Sequence, residues 1–281
     1  MAATVPRVRY RRAAAELQKL RKESGKSAQE VAVAVPGMNL MKLSRYENAA
    51  VALKPEVVKA LLDFYECAPD LAEVVLEGLR DTGRPGWVAG YGDLNPLHQD
   101  LIRLEETAVS CRSYEVSYIP GLLQTRRYAH SIIASGSHKG SSVDARVEVR
   151  INRQGVLTRE ENPLKLWTVI HESALTMKAP DNIMEDQLDR LIQWSQRDNI
   201  TIQVMPLKAP PHPGQNGPFT MLEFPLRALD LVLLSDMISS RWVEDPQEVE
   251  TYRSAFDEIM ANALGLEDSL TLIREKRELL K

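Results

Sequence analysis

One very short helix, with both ends fixed by local chemistry, limits most strongly how this chain folds. Ser27-Ala28-Gln29-Glu30 is a capping-box pattern: the Ser27 hydroxyl can accept from the Glu30 amide while the Glu30 carboxylate reaches back. Pro36-Gly37 must stop that helix near Val35. Two turns of helix do not persist alone in water, so neighbours must brace it. The sequence supplies them. Residues Ala13 to Glu23 carry Ala13, Leu17 and Leu20 on one face, and Gly25 offers a left-handed residue at the end. Asn39 is a good N-cap for a helix over Leu40 to Glu47. Pro55 opens a fourth helix with a Val57/Val58, Leu61/Leu62 and Tyr65 stripe, and a fifth spans Pro69 to Arg80.

A short helix, a glycine turn and a third helix bearing Lys42, Ser44 and Arg45 make a helix-turn-helix. In that geometry the second helix braces across a DNA backbone and the third lies in the major groove. Charge agrees. Residues 1–60 carry 12 Lys/Arg against 5 Asp/Glu, while residues 61–281 carry 23 against 34. A basic head on an acidic body points the head toward a polyanion.

Leu17-Gln-Lys-Leu-Arg-Lys-Glu-Ser-Gly25, Glu30-Val-Ala32 and Lys42-Leu-Ser-Arg-Tyr-Glu-Asn48 together resemble the Xre-type, or phage-repressor-like, DNA-binding module over about residues 13–79. The resemblance implies an internal ion pair between Arg21 and Glu47, which makes Arg21 structural. It departs from the pattern at Lys26, usually apolar, and in a turn, Val35–Met38, that is one residue longer than usual. Leu40 and Met41 also stand where many members place polar base-readers. Apolar groups can touch a thymine methyl but cannot give bidentate hydrogen bonds. The expected DNA-facing set is Asn39, Leu40, Met41, Lys42, Ser44 and Arg45. Ser27 joins it mainly as a cap. Arg7, Arg9, Arg11 and Arg12 read as a basic N-terminal arm that adds phosphate contacts or enters a minor groove.

Asp81-Thr-Gly-Arg-Pro-Gly-Trp87 is a cluster of breakers, followed by Gly90 and Gly92. It divides the chain into a helical domain over 1–82 and a body over 83–281. The body reads as mixed, so the whole chain is α+β with a small sheet of about four to five strands. Strand-like runs cover residues 113–119, 164–170, 200–206, 219–224 and 231–234. Helical patterns cover 94–110, 125–135, 143–158, 183–196, 246–263 and 267–280.

Ser113-Tyr-Glu115, Pro120-Gly-Leu-Leu-Gln-Thr125, Asn199-Ile-Thr-Ile-Gln-Val-Met-Pro206 and Gly217-Pro-Phe-Thr220 resemble the C-terminal domain of WhiJ-like developmental regulators over residues 85–275. That resemblance implies a transcriptional regulator whose body binds a signal, a small acidic protein or a second copy of the chain. Tyr114, Gln124, Arg146, Arg150, Arg153, Trp167, His171 and His212 are the candidate ligand or partner residues; an arginine row suits an acidic ligand.

Catalysis is not expected. His171-Glu172-Ser173 holds the residue types of a triad, but side chains adjacent on a strand alternate faces. There is no Gly-x-Ser-x-Gly elbow, phosphate loop or dinucleotide fingerprint, and the five histidines lack metal-ligand spacing. No cofactor or metal is therefore expected. Two cysteines, no long apolar run and no signal-peptide pattern suggest a cytoplasmic protein without a membrane partner. The sequence thus reads as a sequence-specific regulator of transcription on double-stranded DNA, working as a homodimer. The alternative is a protein-interaction module, antitoxin-like or partner-controlled, whose helix-turn-helix serves as a protein-binding surface.

Overall fold

The computed structural model describes residues 8–79, 96–136, 142–177, 182–235 and 240–280. The chain divides into two compact units, Met1–Gly86 and Trp87–Lys281. The breaker cluster at 81–87 lies outside the described residues.

Five described helices build the first unit: α1 (Val8–Glu23), α2 (Ala28–Ala34), α3 (Leu40–Glu47), α4 (Pro55–Phe64) and α5 (Pro69–Leu79). The capping box at α2 is complete, with Ser27 Oγ accepting from Glu30 N and Glu30 Oε2 accepting from Ser27 N. Gly37 turns the chain with a φ of 69°, a conformation that a side chain would strain. Leu17, Val31, Leu43, Tyr46, Val58 and Leu61 meet in a dry core. Lys26 lies with its Nζ 5.6 Å from the centroid of the Phe64 ring. Its stem takes the apolar role while the ammonium sits over the ring. Helix α1 begins five residues earlier than the sequence reading placed it. Arg9, Arg11 and Arg12 are therefore helical and do not form an extended arm; Arg7 lies outside the described residues. The early start follows from burial of Val8, 1% exposed, and Ala13 and Ala14 at 5% and 2%.

The second unit is a mixed sheet with helices, so the chain is α+β as expected. Its elements run α6 (Pro96–Thr107), β1 (Ser110–Glu115), α7 (Arg126–Ser135), α8 (Val143–Arg153), β2 (Lys165–His171), α9 (Ile183–Trp194) and β3 (Ile200–Met205). They continue with β4 (Phe219–Glu223), β5 (Leu231–Ser235), β6 (Ser240–Val243), α10 (Pro246–Asn262) and α11 (Leu266–Glu278). The sheet has six described strands in the order β3-β2-β1-β4-β5-β6, one more than the upper expectation. The strand that the sequence did not show is β6, which pairs Trp242 with Leu233 and Arg241 with Leu234. Strands β1, β2 and β3 run parallel, and β4, β5 and β6 continue antiparallel.

Alternation along β1 sorts its side chains. Tyr114 joins Val169, Met221 and Val232 in the layer beneath Val249, Phe256 and Ile259 of α10. Cys111, Ser113 and Glu115 take the other face. On that face Ser113 Oγ donates to Thr168 Oγ1 across the strands at 2.8 Å.

Candidate nucleic-acid interface and cavities of the body

Helix α3 is built to be held from behind. Leu43 and Tyr46 are buried, at 1% and 4% exposure, which turns Leu40, Met41, Ser44 and Arg45 outward. Asn39 Oδ1 accepts from Lys42 N at 2.8 Å and closes the N-terminus. Lys42 is half-buried, and its Nζ donates to the Gly37 carbonyl at 2.9 Å. Asn48 Nδ2 donates to the Ser44 carbonyl at 2.7 Å at the other end. Glu47 joins α3 to α1 through a two-pronged ion pair. Arg21 Nε donates to Glu47 Oε1 at 2.6 Å and Nη2 to Oε2 at 3.0 Å, while Nη1 reaches the Lys26 carbonyl. Arg21 is thus structural, as the resemblance implied. The Glu47 hydrogen bonds come first among the causes that hold its guanidinium above the ordinary value.

The outward edge has two characters. Its cationic part is Lys42 and Arg45. Its apolar part is Leu40 and Met41, which with Ala32 and Asn39 line an open groove of about 440 Å³. Val33 on α2 is 89% exposed and Met41 74%. The sequence reading missed Val33, although its place opposite buried Val31 on a two-turn helix is the signal that could have found it. Ser27 is exposed and engaged as a cap. Arg12 is half-buried on α1, and nothing is described of the Arg9 side chain.

The candidate residues of the body do not share one pocket. Tyr114, His171 and His212 line a cavity of about 320 Å³. Gln124, Arg150 and Arg153 line another of about 560 Å³. Trp167 lines neither; its Nε1 donates to Gln203 Oε1 at 2.8 Å, and Gln203 in turn donates to the Leu264 carbonyl at 2.9 Å. Arg146 is half-buried on α8 and also lies outside both linings.

In the smaller cavity, Gly214 packs on the Tyr114 ring so closely that a Cβ there would stand 2.5 Å from Cε1. His212 Nδ1 accepts from Gly214 N at 3.1 Å, and burial, with His171 nearby, lowers its pKa. The triplet His171-Glu172-Ser173 does not continue as the strand that the sequence suggested. The strand ends at His171, a tight turn follows, and His171 Nδ1 meets Ser173 Oγ at 2.7 Å. That hydroxyl also donates to the Val116 carbonyl at 2.8 Å. Glu172 turns away, where Lys276 Nζ lies 2.7 Å from its carboxylate and Leu207 N donates to Oε2 at 3.0 Å.

The larger cavity holds two arginines of contrasting state. Arg153 donates to both oxygens of buried Glu105, at 2.9 and 2.6 Å. Burial works against its charge, but Glu105 more than offsets this and holds the guanidinium above its ordinary value. Arg150, three residues before, makes one hydrogen bond among the described residues, from Nη1 to Gln124 Oε1 at 2.9 Å. Burial and the like charge of Arg153 push it down to about 10. Gln124 is itself fixed, its Nε2 donating to the Ile119 carbonyl at 2.7 Å. Half-buried Glu115 lines the same cavity; burial pushes its pKa up to about 7 and Arg150 pulls it back. Neither Glu105 nor Glu115 was singled out from the sequence. The spacing Cys111, Ser113, Glu115 on one strand face could have pointed to the second.

The first unit is a helix-turn-helix domain, and with it the chain has the architecture that suggests a DNA-binding regulator. Residues 12–75 match the family model described as "Helix-turn-helix domain". Residues 98–275, more than half of the chain, match "Domain of unknown function (DUF5753)", and the chain belongs to that family. No curated protein and no solved structure matches it. Among the described residues no helix is long and apolar enough to cross a membrane.

Proposed function

We propose that this chain is an Xre-type regulator of transcription. In this reading α3 contacts DNA and the body, of WhiJ-like kind, senses a signal. It works in the cytoplasm by binding rather than by catalysis. The carrying observation is a helix whose inner face is locked by Leu43, Tyr46 and the Arg21–Glu47 pair while Ser44 and Arg45 face outward and half-buried Lys42 lies at the same edge. Backbone amides at its N-terminus, beside Asn39, and the two cations would take phosphates. Leu40 and Met41 would lie against thymine methyl groups, which gives affinity with blunt sequence readout. One such helix makes few contacts, so two copies would read half-sites about 34 Å apart. A signal would then act by favouring one arrangement of the copies.

The test is fluorescence anisotropy on the chain's own promoter region. Lys42→Ala with Arg45→Ala is expected to weaken binding at least tenfold and to lower the salt slope by about 0.9 per lost phosphate contact. Unchanged affinity in that variant defeats the reading.

The exposed apolar set Val33, Leu40 and Met41 favours a second reading, in which this edge binds a protein. Binding to such a partner would resist salt. Leu40→Ser with Met41→Ser would remove it while leaving any phosphate-driven binding in place.

A further inference from the structure

The 560 Å³ cavity lies within the range of sites for small organic ligands. About half of its lining is apolar, including Leu101, Leu122, Phe219 and Leu233. Two polar groups in it are incompletely used. Arg150 spends one N–H on Gln124, and no hydrogen bond reaches the Glu115 carboxyl among the described residues. Gly121 lies beside both arginines; a Cβ there would stand in ordinary contact, 3.7 Å from Arg153 Nη1 and 3.9 Å from Arg150 Nε. We propose that this cavity binds a small organic monocarboxylate. Arg150 would take the carboxylate, neutral Glu115 would donate a hydrogen bond to it, and Leu101, Leu122 and Leu233 would receive the hydrocarbon part. The inference rests on the sensing role proposed above and names the ligand class.

Charge selects that class. Glu105 already neutralises Arg153, so Arg150 is the cation left for a ligand. A phosphate dianion would need a second. A cationic ligand would meet Arg150 on the same wall. An ionised Glu115 would repel a carboxylate, so the ligand must take the site with Glu115 protonated. The charged and titratable groups around it are Arg150 and Arg153 on α8, His98 and Glu105 on α6, Tyr128 on α7, Cys111 on β1 and Tyr118 beyond it. A group that titrates near 7 is about nine-tenths protonated at pH 6 and one-tenth at pH 8, so affinity should fall about tenfold between them.

Calorimetric titration of the full-length protein tests this, with octanoate and phenylacetate as probes and octanamide and phenylacetamide as uncharged controls. The expected result is carboxylate binding at least tenfold tighter than amide binding, and about tenfold weaker at pH 8 than at pH 6. Glu115→Gln keeps a donor at every pH, so it should hold the pH 6 affinity at pH 8. Arg150→Lys should weaken the carboxylates at least tenfold; if that variant misfolds by circular dichroism, Glu115→Gln still decides. Failure of both carboxylates to bind at millimolar concentration, equal binding of the amides, or unaltered pH dependence in Glu115→Gln overturns the proposal. Capture of an acidic protein at this cavity in place of the carboxylates also overturns it. No DNA is present, so these outcomes are independent of the Lys42/Arg45 test.

Discussion

The two units treat charge in opposite ways. In the helical unit the interior is mostly apolar, the Arg21–Glu47 pair clamps the seam between α1 and α3, and Arg45 remains at the surface with half-buried Lys42 beside it. In the body, arginines go inside. Arg153 sits with Glu105, and Arg253 joins Glu223, Asp230 and Glu250 while Arg112 bridges Glu223 and Asp257. The difference follows from size. A five-helix unit has one small core with little room for charge, and the carboxylates it does bury, Glu16 and Glu47, each meet a cation at its edge, Lys19 and Arg21. A six-stranded sheet with helices packed on it has interior volume to do so, and buried charge persists there only with close partners. The head thus leaves its charge where a polyanion could meet it, and the body holds its charge where it can shape a cavity.

Removing a partner from the body should have the largest effect. Glu105→Ala strands the Arg153 guanidinium and should cost about 3–5 kcal/mol. All four tryptophans, Trp87, Trp167, Trp194 and Trp242, belong to the second unit, so urea denaturation followed by tryptophan fluorescence reads that unit alone. A loss under about 1 kcal/mol would mean that buried pairs matter no more here than surface ones.

The clamp of the helical unit comes next. Arg21→Ala leaves Glu47 without its two-pronged partner and should cost about 1.5–3 kcal/mol. The loss should appear in the helical circular dichroism with the tryptophan transition unmoved. Coupled loss in both signals would break the comparison by showing that the units do not unfold separately.

The pH dependence of the body should carry a smaller signature. The folded pKa of Glu115, about 7, stands above the ordinary carboxylate value, so the folded state holds the proton more tightly than the unfolded one. Its contribution is fully present below the ordinary value and is lost as pH rises through about 7. Glu115→Gln should therefore raise stability at pH 8 by about 1–2 kcal/mol, discounted for partial exposure, and leave it nearly unchanged at pH 4. Equal effects at both pH values would remove Glu115 from the account.

Smallest of all should be the effect of Lys42→Ala with Arg45→Ala on folding, under about 0.5 kcal/mol by thermal melting. A larger loss would mean that this edge is structural. Unchanged melting with lost DNA affinity would sharpen the contrast between surface charge kept for a partner and interior charge kept for the fold.

Much of the helical unit was legible because its signals are local. The Ser27/Glu30 box, the Asn39 cap and the Pro36-Gly37 stop each act within four residues, and the structure forms all three. Further on, Thr125 caps α7, and Asp245 caps α10 with Pro246 behind it. The start of α1 was missed because alternating arginines look like a solvated arm, whereas burial of Val8 extends the helix through them. Strand β6 was missed because Ser240-Arg-Trp-Val243 is too short to show a period; pairing with β5 makes it a strand. His171-Glu172-Ser173 was expected to run on as a strand, and the turn that ends β2 there sets the His171 ring on the Ser173 hydroxyl instead.

The sequence by itself determined where the capped helices α2, α3, α7 and α10 begin, and that Leu43 and Tyr46 face inward so that Ser44 and Arg45 face out. Those outcomes depend on caps and on the 3.6-residue period, which a linear stretch encodes directly. Only the tertiary structure decided that Arg153 closes on Glu105 while Arg150 bonds Gln124 in the cavity that Glu115 also lines, and that candidate residues of the body fall into two cavities. Sheet order brings such partners together across 48 residues for Glu105 and Arg153, and 111 for Arg112 and Glu223. No local pattern carries that pairing, because burial and charge act on whatever the folded chain places side by side.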